Sequence, residues 1–264
     1  RSAVSVLSAW GYSCSNLSCA PPCTWLILTL PAICVYVAYL QRHAKEPTDG
    51  HIRMVNRSLS WVRKNLKRLG VLYQPLRGPL RLLVLSDSAF KAQDYKGLVM
   101  RGCFVLLAEA EGGLSRTDTL APTCPRSKHI WTTGSDVRVH VLDGYSKKHT
   151  RVVRSTFAAE LVGEPDATNH RSLIQFCYQG IICGAQSPAN LVVAKRHLPM
   201  DVGGDAQAVF DGITAKEMKA PDDKHLLLHA RAMREFLETS PVDRFYWFDT
   251  NGMLPDGLTK GSID

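Results

Sequence analysis

The chain has 264 residues, of which 45% are hydrophobic, and its formal net charge at pH 7 is +8. This length is enough to bury a sizeable core, as one large domain or two small ones. The eight cysteines show no CxxC pair and no regular spacing, which argues against a disulfide framework and favours reduced thiols in an intracellular protein. Ten Lys and Arg but only two acids lie between residues 41 and 81, so the whole net charge is a local basic patch.

The first predicted element is an apolar helix. Residues 1–27 show no recognisable pattern and stay unassigned, but residues 24–40 are seventeen residues without a charge, close to the lower limit for crossing a bilayer. Pro31 interrupts this segment, and the Cys, Ser and Pro residues before it form no charged region. These features favour a buried helix over residues 31–44. A membrane-anchored protein, which would resist carbonate extraction from membranes, is the alternative.

A second helix is predicted over residues 49–69, with Thr48 as its N-cap. Basic residues recur along it, among them Arg63, Lys64 and Lys67. A helix of this kind suits contacts with nucleic-acid phosphates, which provide affinity but little sequence information. A solvated helix face without a partner is the alternative explanation.

Apolar runs and helical periodicity predict the elements that follow. Strands are expected at residues 81–86, 98–108, 137–145, 206–210 and 244–248. Helices are expected at residues 156–163, 170–182, 213–219, 224–238 and 254–260. Pro165 and Asp166 should end the first of these helices soon after it begins. The segment near 111–135 is rich in Gly, Thr, Pro and Ser and is expected to be an inserted loop.

Four acidic residues on separate elements form the candidate functional site: Asp87, Glu160, Asp211 and Asp256. Asp87 and Asp211 follow apolar runs at the predicted ends of strands, whereas Glu160 and Asp256 lie in predicted helices. Carboxylates that converge repel one another, so such a cluster usually persists because a divalent cation neutralises it. The sequence therefore predicts a metal-binding nuclease site, with Mg²⁺ or Mn²⁺ as the expected ion.

The residues around these acids resemble a known family. The similar segments are SDSAF around Asp87, YSKKHTRVVRSTFAAEL leading into Glu160, DAQAVFDGITA around Asp211, KHLLLHARAMREFL at 224–237 and YWFDTNGMLPDGLTKG around Asp256. Together, in this order, they resemble the RNase H domain of copia-type retrotransposon polyproteins. The upstream stretch from LTLPAICVYVAYLQRH to VRKNLKRLG resembles the thumb-to-connection segment that follows the reverse transcriptase palm in the same polyproteins. The resemblance covers about residues 28–262.

The resemblance implies an α/β fold: an RNase H-like mixed five-stranded sheet flanked by helices over residues 79–264, preceded by a basic helical connection segment over residues 28–78. It also implies roles for the acids. Asp87 would be shared by two ions, Glu160 and Asp211 would complete one ion site, and Asp256 would hold the other ion. Two such ions would activate a water and stabilise the leaving 3′ oxygen in an in-line displacement at phosphorus.

The implied substrate is the RNA strand of an RNA–DNA hybrid, recognised through its 2′-hydroxyls. Ser88, Lys91 and Gln93 follow the first aspartate and are candidate contacts to the nucleic-acid backbone. The implied partner is the remainder of the retrotransposon polyprotein with its reverse transcriptase palm, no membrane is expected, and the place of action is intracellular: the cytoplasm, a virus-like particle or the nucleus. A catalytically inactive relic, or a nucleic-acid-binding module with the same fold, is the alternative.

Overall fold

The computed structural model describes residues 28–89, 99–109, 138–149, 152–184, 198–217, 221, 223–239, 244–248 and 253–260. The unassigned segment 1–27, the expected inserted loop 111–135 and the candidate contacts Lys91 and Gln93 lie outside the described residues.

Five strands form one mixed sheet. They are β1 (Leu80–Ala89), β2 (Met100–Glu109), β3 (Val139–Lys148), β4 (Met200–Gly204) and β5 (Arg244–Trp247). The spatial order is β3-β2-β1-β4-β5, in which the β1–β2 and β2–β3 pairs are antiparallel and the β1–β4 and β4–β5 pairs are parallel. The predicted architecture, a mixed five-stranded sheet flanked by helices, is confirmed.

The described part of the chain contains six α-helices. They are α1 (Cys34–Arg42), α2 (Asp49–Asn65), α3 (Thr156–Cys183), α4 (Gln207–Thr214), α5 (Lys224–Thr239) and α6 (Asp256–Thr259). The start of α2 is capped as predicted: the Thr48 hydroxyl accepts a hydrogen bond from the His51 N–H at 3.4 Å, and the His51 ring accepts one from the Thr48 N–H at 3.0 Å. This reciprocal pairing satisfies two of the backbone donors that a helix start leaves free.

The central strand β1 is buried on both of its faces, and its side chains alternate between two cores. Leu82 and Val84 pack in the core that α3, α4 and α5 cover. Leu83 and Leu85 pack in a second core on the opposite face, together with Cys34 of α1. The sheet is therefore enclosed by helices on both sides.

The apolar segment near Pro31 forms the buried helix that the sequence predicted. A 3-10 turn over Pro31–Ile33 leads into α1, and Ile33, Cys34 and Val35 are buried. No helix among the described residues is both long enough and apolar enough to cross a membrane. The domain boundary between residues 78 and 79 stays a prediction, since α1 lies upstream of it and shares a core with the sheet.

The prediction for the fourth strand is wrong. A strand was expected at residues 206–210, but that segment forms the start of α4, and β4 lies just before it at Met200–Gly204. Val209, Phe210 and Ile213 lie on one face of a helix, and all three are buried in the core that α3, α4 and α5 cover. In an extended segment, the neighbouring side chains of Val209 and Phe210 would point to opposite faces of the sheet. The sequence of β4, MDVGG, was missed because Gly and Asp are depleted in strands.

The third helix is longer than predicted. α3 runs from Thr156 to Cys183 with Pro165 inside it, so Pro165 and Asp166 do not end the helix. A proline in a helix interior costs about 3 kcal/mol through a lost hydrogen bond and a steric clash. Leu161 and Val162 before Pro165 and Ala167 after it are all buried. Burial of a Leu or Val side chain contributes about 1.5 to 3 kcal/mol to the free energy of folding. The free energy gained by burying these side chains therefore exceeds the cost of the proline inside the helix.

Candidate metal centre

Asp87 lies near the end of β1 and its side chain is buried, with the residue only 1% exposed. The Thr259 hydroxyl at the end of α6 donates a hydrogen bond to Asp87 Oδ2. The Lys260 ammonium lies 3.7 Å from Asp87 Oδ1. The predicted first acid is thus held by the C-terminal helix as well as by its own strand.

Glu160 enters the site from the first turns of α3. The Ser155 hydroxyl caps this helix by accepting a hydrogen bond from a backbone N–H at 3.1 Å. Glu160 is buried, and its Oε1 accepts a hydrogen bond from the Ser88 N–H at 2.9 Å. Helix and strand approach closely because Gly163 has no side chain, since a Cβ there would lie 2.8 Å from Ser88 Oγ. This approach fixes Glu160 beside Asp87.

The third acid at this place is Asp205, which directly follows β4. The last two residues of β4 are glycines in crowded positions. A Cβ on Gly203 would overlap the Phe248 ring, and a Cβ on Gly204 would overlap the Glu164 carboxylate. The two glycines therefore allow β4 to lie tightly between its neighbours and to present Asp205 at the end of the sheet that carries the first acid.

Asp87, Glu160 and Asp205 meet at one point. Each offers a carboxylate oxygen, and the three oxygens lie within 4.8 Å of one another, the one group of this kind among the described residues. Asp211, which was predicted as the third acid, is not part of the group. It lies half-exposed on α4, because the segment that was expected to end as a strand at Asp211 is helical.

Burial and mutual repulsion shift the ionisation of these acids. Burial raises the pKa of Glu160 to about 10, and repulsion from Asp87 and other acids adds to this effect. Burial also raises the pKa of Asp87 to about 6, although the hydrogen bond from Thr259 and the charge of Lys260 oppose the shift. Ionised carboxylates in such surroundings are stabilised strongly by a cation that replaces their lost hydration.

The donor set fits a small divalent cation. Mg²⁺ takes oxygen ligands at about 2.0–2.1 Å, so two oxygens on one ion are about 3 to 4.2 Å apart. The separations within this group, which do not exceed 4.8 Å, need only small side-chain adjustments to reach that range. The group contains oxygen ligands only, and such hard donors suit Mg²⁺ or Mn²⁺ and not a metal that prefers thiolates.

Asp256 is the first residue of α6 and lies beside this group without joining it. Its Oδ1 is 2.7 Å from Lys260 Nζ, and the same ammonium reaches Asp87. α6 can pack this closely on β2 because Gly102, the residue that pairs with Asp87 across the strands, has no side chain. A Cβ on Gly102 would lie 2.7 Å from Leu258 Cβ.

The predicted nucleic-acid contacts have different surroundings. Ser88 is 6% exposed, and its backbone N–H holds Glu160, so its place in the structure is that of a positioning residue. Arg63, Lys64 and Lys67 are exposed, at the end of α2 and just after it.

Three residues at the site were not foreseen from the sequence: Asp205, Thr259 and Lys260. The pair of glycines before Asp205 was the available indication, because adjacent glycines often mark a close approach of the backbone to other groups. Thr259 and Lys260 follow Asp256 by three and four residues, a spacing that places side chains on one face of a helix.

Several solved RNase H structures are similar to this chain at low sequence identity. The RNase H1 of the halophilic archaeon Halobacterium salinarum NRC-1 is 12% identical over 67% of this chain and 93% of its own, with a TM-score of 0.39. The N-terminal RNase H domain of a Mycobacterium tuberculosis protein, solved as a fusion with maltose-binding protein, is 14% identical over 68% of this chain and 91% of its own, with a TM-score of 0.35. LC9-RNase H1, a type 1 RNase H with the type 2 active-site motif, is 12% identical over 68% of this chain and 67% of its own, with a TM-score of 0.28. Neither a scan of protein-family models nor a search of the curated proteins found a match.

Proposed function

We propose that this chain is a metal-dependent endoribonuclease that cleaves the RNA strand of RNA–DNA hybrids. One observation carries the proposal: Asp87, Glu160 and Asp205 come from three separate elements and bring their oxygens within 4.8 Å of one another. Assembling acids at one point, two of them buried and Asp205 half-buried, costs stability unless a cation neutralises them. The resemblance of the surrounding sequence to copia-type RNase H domains supports the reaction class and the substrate.

The neighbouring residues prepare this group for a cation before substrate arrives. The Ser88 N–H orients Glu160, and the Thr259 hydroxyl orients Asp87. Hydrogen bonds of this kind hold metal ligands in place and raise metal affinity. A divalent ion held here would supply Lewis-acid activation of the phosphodiester and of the attacking water.

Basic residues lie on β2 and β3, one position along the strands from the row of Asp87. In the strand register Ser88 pairs with Arg101, and Arg101 pairs with Lys147. The row that carries these residues is next to the row of Asp87, so its side chains leave the opposite face of the sheet. The Arg101 guanidinium is paired with a carboxylate of α3, which leaves Lys147 as the exposed base of this row. Lys147 is exposed, with its ammonium 4.7 Å from the centre of the Tyr145 ring. An exposed lysine at this end of the sheet supports contact between the chain and a substrate phosphate.

Helix α2 offers a second basic surface. Arg53, Arg57 and Lys64 are exposed and lie within about 40° of one another around the helix axis, given about 100° per residue. Arg63 and Lys67 are exposed beside them. A basic stripe of this length supports contact with several phosphates of a duplex. The same stripe favours the second candidate function, a nucleic-acid-binding module without catalysis.

The resemblance of residues upstream of β1 to a thumb-to-connection segment leads us to infer that the chain is part of a retrotransposon polyprotein. Its partner would then be the reverse transcriptase palm, which contributes further contacts to the hybrid.

The deciding experiment measures cleavage of a labelled RNA–DNA hybrid by the full chain, with Mg²⁺, with Mn²⁺ and with chelator. We expect metal-dependent cleavage of the RNA strand, with Asp87→Asn slower by about 100-fold or more and the exposed control Glu217→Gln unchanged. Duplex DNA of the same sequence should stay intact, since it lacks 2′-hydroxyls.

Two results would contradict the proposal in different ways. Equal cleavage of duplex DNA would leave a metal nuclease without hybrid specificity. Tight hybrid binding with no cleavage in any metal would support the binding module.

A further inference from the structure

Lys260 bridges two acids that belong to different elements. Its ammonium is 2.7 Å from Asp256 Oδ1, one helical turn before it, and 3.7 Å from Asp87 Oδ1 on the central strand. The Asp87 side chain is 2% exposed, that of Asp256 30% and that of Lys260 45%. A lysine on a short helix usually pairs with one acid of its own helix, and such exposed pairs contribute little. Contact with a buried acid of the sheet indicates a further role.

The position of this ammonium is the position predicted for a second ion. If Asp87 were shared by two ions and Asp256 held the second, that ion would lie between these two carboxylates. Asp87 also meets Glu160 and Asp205, whose carboxylate oxygens lie within 4.8 Å of its own. The ion pair between Lys260 and Asp256 distinguishes the place between Asp87 and Asp256 from this group of three acids.

We propose that Lys260 is an internal countercation that competes with a second divalent ion for the place between Asp87 and Asp256. This inference rests on the proposed function. The site then binds one ion tightly, through Asp87, Glu160 and Asp205, and a second ion only when the lysine withdraws. The ammonium also holds Asp256 near the buried acid, so Lys260 is a positioning residue as well as a competitor.

The chemistry of lysine makes this competition possible. An ammonium is a compact single charge on a flexible four-carbon chain, so it neutralises carboxylates but cannot coordinate a phosphate oxygen as a metal does. The half-exposed side chain has solvent into which it can move. A dication that enters between the two acids must displace it, because the two like charges would otherwise lie within a few ångströms.

Metal stoichiometry tests the inference without relying on catalysis. The full chain is titrated with Mn²⁺, and electron paramagnetic resonance counts the bound ions. For the wild type we expect one tight ion and a second that binds at least tenfold more weakly. Lys260→Met should strengthen the second site at least tenfold and give the spin-coupled signal of two ions about 4 Å apart. Lys260→Arg, which keeps the charge, should resemble the wild type, as should the exposed control Lys224→Met.

Each outcome has a separate meaning. Two results would overturn the role of Lys260 and leave the proposed function standing. One is two Mn²⁺ sites of equal affinity in the wild type. The other is an unchanged affinity of the second site in Lys260→Met, provided that this variant unfolds cooperatively on heating and is therefore folded. A wild type that binds no Mn²⁺ would remove the proposed function first. One-ion binding without hybrid cleavage would reject the nuclease but not the competition by Lys260.

Discussion

Asp205 and Asp211 are six residues apart in the sequence, but the structure gives them different surroundings. Asp205 follows a strand of the sheet and shares a point in space with Asp87 and Glu160. Asp211 lies half-exposed on the helix that comes next. A ligand role depends on this placement and not on the residue type.

A pair of substitutions separates the two acids. Asp205→Asn keeps the shape of the side chain but removes a charged ligand, so we expect divalent-metal affinity to fall about 10- to 100-fold or more and cleavage of the hybrid to fall with it. Asp211→Asn should change both quantities less than twofold. Isothermal titration with Mn²⁺ and initial cleavage rates measure these effects. The reverse order of effects would restore Asp211 as the third ligand.

Asp87 and Glu160, which the structure brings together, could be predicted from the sequence because each follows a strong local pattern. Asp87 ends a continuous apolar run, and Glu160 lies in a helix that Ser155 caps. Asp205 had no such pattern, since the strand before it is five residues long and ends in two glycines. Glycine is required at these two positions because the Phe248 ring and the Glu164 carboxylate, both distant in sequence, pack against them. Only the folded structure reveals that kind of packing.

The helices and strands also divide into those that a local sequence pattern predicts and those that depend on tertiary packing. β1, β2, β3 and β5, and the helices α2 and α5, agree with their predicted positions to within a few residues because their apolar periodicity is strong. α3 and β4 were mispredicted because tertiary burial overrode local preference: a proline is retained inside a buried helix, and glycines are retained in a buried strand. The position of α6 against the sheet also depends on contacts that are distant in sequence.

The packing of α6 against the sheet depends on small residues at one register position of β2 and β3. Gly102 lies between Asp87 and Ser146 in the strand register. The Ser146 hydroxyl donates a hydrogen bond to the Leu258 carbonyl at 2.6 Å, and Gly102 leaves room for the Leu258 side chain. Together they hold α6 close enough for its residues to reach the buried acid.

Gly102→Ala should therefore move α6 off the sheet. The added methyl would lie 2.7 Å from Leu258 Cβ, and overpacking of this kind costs about 1 to 3 kcal/mol. We expect urea denaturation to show that loss and hybrid cleavage to fall at least tenfold, because α6 carries Thr259 and Asp256. Gly180→Ala is the matched control, since a Cβ there meets nothing within 4 Å. Wild-type stability and cleavage in Gly102→Ala would show that α6 does not depend on this contact.

Ionisation of the buried acids would link the proposed metal binding to the stability of the fold. Burial raises the pKa of Glu160 to about 10 and that of Asp87 to about 6. The folded protein therefore keeps protons that the unfolded chain releases near pH 4. The stability from these protons is fully present below about pH 4 and is lost as pH rises through 6 for Asp87 and towards 10 for Glu160. A bound cation takes the place of the protons, so its stabilising effect should grow with pH.

Thermal melts between pH 7 and pH 9 test this linkage. Mg²⁺ at about 100 times its Kd should raise Tm by about 5 to 10 °C at a given pH, and because Kd falls as pH rises, a fixed Mg²⁺ concentration should give a larger increment at pH 9 than at pH 7. This window avoids His149, whose burial lowers its pKa to about 4, so that its effect on stability is confined below about pH 6.5. Asp205→Asn at equal ionic strength should lose the increment. An increment that is constant or that shrinks with rising pH would mean that Mg²⁺ does not bind at these acids.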